Sequence, residues 1–152
     1  MDKVLERSIG KSDIHIKNNS LKKLYQSGCS KILNPNSYKN INELVLINTA
    51  GGITCNDKIK TSVILENSNS SITTQAAEKI YAGIGDPSRI DINISIKNSN
   101  LFWLPKELIL FNNSKLIRNI NINLDKKSNL IFCETSIFGR TAMKEKINSL
   151  YL

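Results

Sequence analysis

The longest regular pattern in the chain is a period-two run of isoleucine. Ile90, Ile92, Ile94 and Ile96 alternate with Asp91, Asn93 and Ser95, and Ile120, Ile122 and Leu124 alternate with Asn121 and Asn123. Successive side chains of a strand point to opposite faces, so this alternation describes strands with one dry face and one wet face. β-branched isoleucine suits such a pleated, half-buried surface. Val63 and Leu65 share a face in the same way, and residues 41–48 are rich in Leu, Val and Ile. Helical spacing is found only at residues 76–81 and 142–150, where short helices are expected.

The strands recur. A polar tip followed by an apolar strand start is found at Ser70-Ser71-Ile72-Thr73, Ser99-Asn100-Leu101-Phe102 and Ser128-Asn129-Leu130-Ile131. Ile72, Leu101 and Leu130 are evenly spaced, since 101 − 72 and 130 − 101 are both 29. Another apolar strand precedes each tip. The expected fold is all-β: stacked strand–tip–strand hairpins in a helical, two-layered arrangement with at most short helices. Such a stack must cap its ends or pair them, because exposed sheet edges are liabilities.

Length and charge bound the rest. The 152 residues suit one domain, 1–152, able to bury a core, with residues 1–20 polar and weakly patterned apart from Ile14-His15-Ile16. Asn34-Pro35-Asn36-Ser37 reads as a turn. No uncharged apolar run is long enough to span a membrane, and Met1 to Arg7 mixes charge signs without the apolar segment of a secretory signal. A cytoplasmic location is expected. Cys29, Cys55 and Cys133 are far apart and odd in number, so three reduced thiols are expected rather than a disulfide framework or zinc site. The formal charge of +8 suggests an acidic partner such as nucleic acid, but in a chain this rich in Asn, Lys and Ile composition drift is the favoured reading. The basic residues are spread in pairs such as Lys22-Lys23, and the aromatic residues do not interleave with them as a base-stacking platform requires. A basic β-domain that binds nucleic acid is thus the weaker reading.

Catalytic signals are sparse. No glycine loop leads into a helix to cradle phosphate, and His15 is the single histidine, so a thiol enzyme built on Cys55 or Cys133 would have to use it as base. Two acids stand out by context. Asp57 follows Gly51-Gly52, a pair that reads as a turn or as a rigid loop presenting the acid. Glu107 sits in an otherwise apolar run just after Trp103-Leu104-Pro105-Lys106. Trp103, the only tryptophan, either fills the core, the favoured reading, or anchors a partner.

Four blocks together carry a resemblance. They are Asn48-Thr49-Ala50-Gly51-Gly52-Ile53 with Asp57; Thr73-Thr74-Gln75-Ala76-Ala77-Glu78-Lys79-Ile80-Tyr81; Trp103-Leu104-Pro105-Lys106-Glu107 running to Ile109-Leu110-Phe111; and Phe138-Gly139-Arg140-Thr141-Ala142-Met143. In order and approximate spacing they resemble the urease accessory protein UreD family, also called UreH, over roughly residues 21–143. The resemblance implies a β-rich, non-catalytic scaffold in the cytoplasm. It would bind urease apoprotein and, with UreF and the GTPase UreG, deliver nickel to the urease active site through an internal passage. No cofactor would be tightly bound, and nickel would be in transit. On this view Asp57 and Glu107 line or gate the route, since oxygen ligands hold a passing divalent ion more loosely than thiolates. Gly51, Gly52, Tyr81 and Trp103 would face partners.

Three departures qualify it. Cys55-Asn56 stand where the family has a second glycine pair, Ala82 follows Tyr81 where the family has arginine, and the family continues beyond the block that ends here near Met143. The chain therefore reads as a shortened member, with a non-functional fragment as the alternative to a working scaffold.

Overall fold

The computed structural model describes residues 6–35 and 40–152. The turn expected at Asn34-Pro35-Asn36-Ser37 thus lies partly outside the described residues, as do the first five residues.

The described residues form thirteen strands. The first four are β1 (Ile9–Lys17), β2 (Ser20–Gly28), β3 (Ser30–Leu33) and β4 (Asn42–Asn48). Three successive coils follow, each of three strands: β5 (Lys58–Glu66), β6 (Asn69–Thr74) and β7 (Glu78–Ile80); β8 (Ser88–Lys97), β9 (Asn100–Trp103) and β10 (Leu108–Leu110); β11 (Leu116–Leu124), β12 (Asn129–Phe132) and β13 (Ser136–Phe138). Equivalent strands of successive coils pair in parallel, giving three sheets that wrap one axis. The first sheet runs β11-β8-β5-β1-β2, the second β12-β9-β6-β4-β3 and the third β13-β10-β7. The architecture is a parallel β-solenoid, with β1 and β4 serving as an initial rung.

The isoleucine alternation determines the packing. Ile90, Ile92, Ile94 and Ile96 point inward and are buried, in register with Ile59, Thr61, Val63 and Leu65 of the coil before. Burying one such side chain is worth about 1.5–3 kcal/mol. The alternation of β1 extends further than Ile14 and Ile16 suggest, because Gly10 and Ser12 occupy its other inward positions. Gly10 is there because a Cβ would overlap Ser30. A central strand is hidden in a segment that looked weakly patterned.

The stacked all-β arrangement is as expected, and three details differ. The tips are not hairpins: β5 and β6 belong to different sheets, so each tip is a corner. Next, Ile72 pairs with Trp103 rather than Leu101, so the first repeat is 31 residues long, whereas Leu101 and Leu130 do pair. Leu101 faces Ser70, a small buried residue at an inward position, and an alignment of apolar residues passes over it. Finally, the two helices are replaced. Ala76 and Ala77 make the corner between sheets, and the residues after them form β7, whose backbone groups are taken by β10. Near the end only Thr141–Met143 makes a single 3-10 turn.

The corners carry a side-chain ladder. Asn67 and Asn98 adopt left-handed backbone (φ 49° and 46°), a conformation that Asn tolerates better than most residues. Asn98 Nδ2 donates to Asn67 Oδ1 at 2.8 Å. Beside it, Asn100 Nδ2 donates to Asn69 Oδ1 at 2.6 Å, and Asn129 Nδ2 to Asn100 Oδ1 at 2.8 Å. The amide of Ser68 donates to Ser99 Oγ, and that of Ser99 to Ser128 Oγ.

The two ends differ. At the amino-terminal end β2 and β3 run antiparallel to their neighbours, and β2 carries exposed Lys22 and Lys23. At the other end β11, β12 and β13 are the last strands, and residues 145–151 lie over residues 112–116, with Leu150 packed against the core.

Candidate functional site: a charged, axial interior

The Gly-Gly loop is built around Asp57. This carboxylate is buried and holds two backbone amides: Ser8 N–H donates to Oδ1 and Thr54 N–H to Oδ2, both at 2.8 Å. Ser8 O in turn accepts from the amide of Lys58, which ties the start of β1 to β5. Ile53 pairs with Ile80, so the loop supplies the initial rung of the third sheet. Gly51 makes the turn in left-handed backbone (φ 74°). Gly52 lies against Tyr81, whose ring a Cβ would overlap. Gly51, Gly52, Asp57 and Tyr81 thus line one open cleft together with Glu6 and Ser8.

The departure at Cys55-Asn56 has a local explanation. Asn56 adopts left-handed backbone (φ 67°), so it takes over a conformation for which glycine is the usual choice. Its amide donates to Asp86 O, and its Oδ1 accepts from the amide of Asp86. Cys55 is fully buried.

The other site residues lie elsewhere. Glu107 is half-buried just before β10, its carbonyl accepting from the amide of Glu78, and its carboxylate makes no hydrogen bond among the described residues. Asp57 and Glu107 are not brought into one site, and no group of three His, Cys, Asp or Glu side chains gathers among the described residues. Trp103 is in the core, 1% exposed. His15 is half-exposed on β1, 3.3 Å from Glu66. Lys17 and His15 hold the Glu66 carboxyl below its usual range. The three cysteines are free thiols, and burial raises that of Cys29.

The structure also shows a cluster that sequence reading missed. Inside the solenoid, Arg118 of β11 lies between Glu78 of β7 and Glu134, which follows β12. Its Nη1 donates to Glu78 at 2.9 Å, and its Nη2 and Nε to Glu134 at 2.7 and 3.3 Å. Trp103 Nε1 donates to the same carboxylate at 3.2 Å. The Arg118 side chain is 10% exposed. Burial opposes its charge, but Glu78 and Glu134 more than compensate and hold the guanidinium above its ordinary value. Two carboxylates against one guanidinium leave the cluster formally negative.

The cluster borders a cavity of about 140 Å³. Along the first sheet the cavity touches Ser12 of β1, Thr61 of β5, Ile92 of β8 and Arg118 of β11, so it crosses every parallel rung of that sheet. Ser12 and Thr61 give it a polar lining where isoleucine would have made it dry. Only sequence position hinted at this. Arg118 stands where the alternation of β11 demands an apolar residue, in register with Ile90.

Fold and interior together define the class: a parallel β-solenoid with an internal cavity bordered by Glu78 and Arg118. A family model described as "UreD urease accessory protein" matches residues 10–152. Urease accessory protein UreD 1 of Brucella anthropi is 40% identical over 144 residues, covering 92% of this chain and 51% of the relative. Urease accessory protein UreD of Brucella suis is 40% identical over 129 residues, covering 84% and 46%. That of a Chelativorans species is 38% identical over 134 residues, covering 87% and 48%. The chain belongs to the UreD urease accessory protein family, and it spans about half the length of these curated relatives. No helix among the described residues is long and apolar enough to cross a membrane.

Proposed function

We propose that the chain is a non-catalytic scaffold of urease maturation. It docks on urease apoprotein and on the UreF–UreG complex in the cytoplasm, and its interior carries nickel towards the urease active site. The observation that supports this reading best is the internal cavity bordered by Glu78 and Arg118, the latter paired to Glu134. A passing divalent cation needs water and a few oxygen ligands that do not trap it. Arg118 keeps the two carboxylates from closing on an ion, and the net negative charge still attracts one. The Gly51-Gly52-Tyr81 cleft forms the docking side of this reading, with Trp103 fixing Glu134 from inside the core. Asp57, which lines that cleft, and Glu107, whose carboxylate has no hydrogen bond among the described residues, are the two acids assigned to the route.

The test is co-expression of the tagged chain with urease subunits, UreF and UreG, followed by pull-down and a urease assay. Recovery of both partners with urease activation is the expected result. Glu78→Gln, Glu134→Gln and Glu107→Gln should lower activation while leaving the pull-down intact. Normal activation by all three variants would remove the interior from the route. Loss of partner recovery on Tyr81→Ala and Gly52→Trp, with the fold retained, would place docking at the cleft.

A further inference from the structure

The sheets differ in what they show to solvent. On the second sheet the outward positions hold one cation, Lys31, and one acid, Glu43, among residues such as Val45, Thr73, Phe102 and Ile131. The first sheet is charged. There β1 turns Lys11 and Lys17 outward, β5 turns Lys58 and Lys60, and β8 turns Arg89 and Lys97, each alternating with buried residues. Lys23 of β2 reaches the same face, where it meets Asp13. Asp13, Glu66 and Asp91 are the acids of these strands. Seven cations against three acids (7 − 3), with His15 neutral, leave the face at +4, half of the formal +8 of the chain. Drift in composition would scatter the charge over all the sheets.

The register sets like charges side by side. Lys11 lies opposite Lys60, and Lys58 opposite Arg89. Neighbouring strands are only about 4.8 Å apart, and like charges directly opposite destabilise a sheet. The chain relieves part of this. Asp13 pairs with Lys11 and Lys23 at 3.3 and 3.4 Å, Glu66 with Lys17 at 3.2 Å, and Asp91 with Arg89 at 2.8 Å. Lys58, Lys60 and Lys97 make no ion pair among the described residues. A surface that serves solubility alone intersperses the two signs. Around the cations stand hydroxyls and amides, those of Ser62, Asn93, Ser95, Asn119 and Asn121. Apolar side chains are confined to Ile64 and, in the row at the strand starts, Ile9 and Ile117.

We propose that the outer face of the first sheet binds the phosphate backbone of a nucleic-acid duplex without reading its sequence. Lysine, arginine, serine and asparagine are the side chains that contact phosphate. A face built for a protein has an apolar, aromatic-rich centre depleted of charge, whereas nucleic-acid interfaces are more polar and far more positive. The five strands span about 19 Å, and nine residues run about 30 Å along them, a length over which a duplex presents one charge per about 1.7 Å. A single strand is not the occupant. Tyr25 is the one aromatic ring on this face, and Lys11 lies over it at 5.4 Å from the centroid, so no base-stacking platform exists. Along the sequence these cations are scattered, and the solenoid gathers them. The proposal depends on neither the cavity, nickel nor urease.

The probe is a fluorescently labelled DNA duplex of about 20 base pairs and random sequence, titrated with the full chain at about 50 and about 200 mM salt and followed by anisotropy. Four phosphates neutralised by Lys11, Lys58, Lys60 and Arg89 should make affinity fall about 100-fold between the two salt concentrations. Lys58→Gln with Lys60→Gln should weaken binding at least about tenfold at the lower salt and reduce the salt slope by about two. Its melting temperature should stay level or rise, because like-charge neighbours are removed. Lys144→Gln with Lys146→Gln takes the same charge from the corner after β13 and should leave affinity and slope unchanged. Equal losses from the two double variants would mean net charge alone and overturn the proposal. No binding at the lower salt, or binding indifferent to salt, also overturns it. So does polyglutamate of equal charge that displaces the duplex as well as unlabelled duplex does, since the face would then suit an acidic protein. Should the Lys58 and Lys60 variant be destabilised, acetylation of the unmodified chain decides. Duplex is expected to shield Lys58 and Lys60 while Lys144 and Lys146 stay reactive, and without that contrast the proposal fails.

Discussion

Removing the Arg118 guanidinium would leave Glu78 and Glu134 facing each other in the interior without a cation. A broken buried ion pair costs about 3–5 kcal/mol, so Arg118→Leu should destabilise the chain by that order in urea unfolding at neutral pH. At the Gly-Gly loop, Asp57→Ala strands the amides of Ser8 and Thr54. Each bond to a charged acceptor is worth about 1.5–3 kcal/mol, and the loss should appear as a lower melting temperature together with freed exchange at both amides. Asp57 was visible in the sequence as an acid beside a glycine pair, but its task of holding amides was not, because Ser8 is 49 residues away. Arg118 was less visible still. Its partners lie 40 and 16 residues away, and no local pattern marks a charge that is balanced only after three coils have closed.

At the scale of the element, the corner is the repeating unit, and asparagine is what shapes it. Asn98→Ala should cost about 1–2 kcal/mol, because alanine is strained in left-handed backbone and the ladder bond to Asn67 is lost. Asn98→Gly should recover the backbone part only, which chemical denaturation of the two variants can separate. The strands themselves were legible, since a period of two survives any neighbourhood. The first repeat length was not, because Ser70 rather than an apolar residue faces Leu101. The Asn-Ser-Asn triplets at 67–69 and 98–100 mark the true spacing of 31 residues and are the signal that was passed over. The Gly139–Glu145 corner depends on one further pair. Arg140 donates to Glu145 at 2.9 Å and holds that carboxyl below its usual range. A lowered carboxylate stabilises the fold above its ordinary pKa and ceases to do so as pH falls through the folded value. An NMR titration should therefore show the Arg140 and Asn112 amides, both bonded to Glu145, released in acid below the ordinary glutamate range.

For the whole molecule, the solenoid makes stability a property of neighbours. Strands pair only with those of the coil beside them, although the Arg118–Glu78 bond reaches from the third coil to the first, so order should decline from the middle towards the uncovered end. Amide exchange is expected to be slowest in β1, β5 and β8, which have a hydrogen-bonded strand on both sides, and fastest in β12 and β13. Equal protection throughout would mean a single cooperative unit. The family was legible from four short blocks. The polar interior was not, because Ser12 and Thr61 look like ordinary strand residues until they are placed on one axis. The asymmetry of the two ends bears on biosynthesis as well. The closed end, made by β2 and β3, leaves the ribosome before the coils β5–β13. Every later coil then emerges beside a finished template, and the apolar side chains of each coil wait only for the next. Synthesis and assembly run in the same direction, so the unfinished surface is always the newest one.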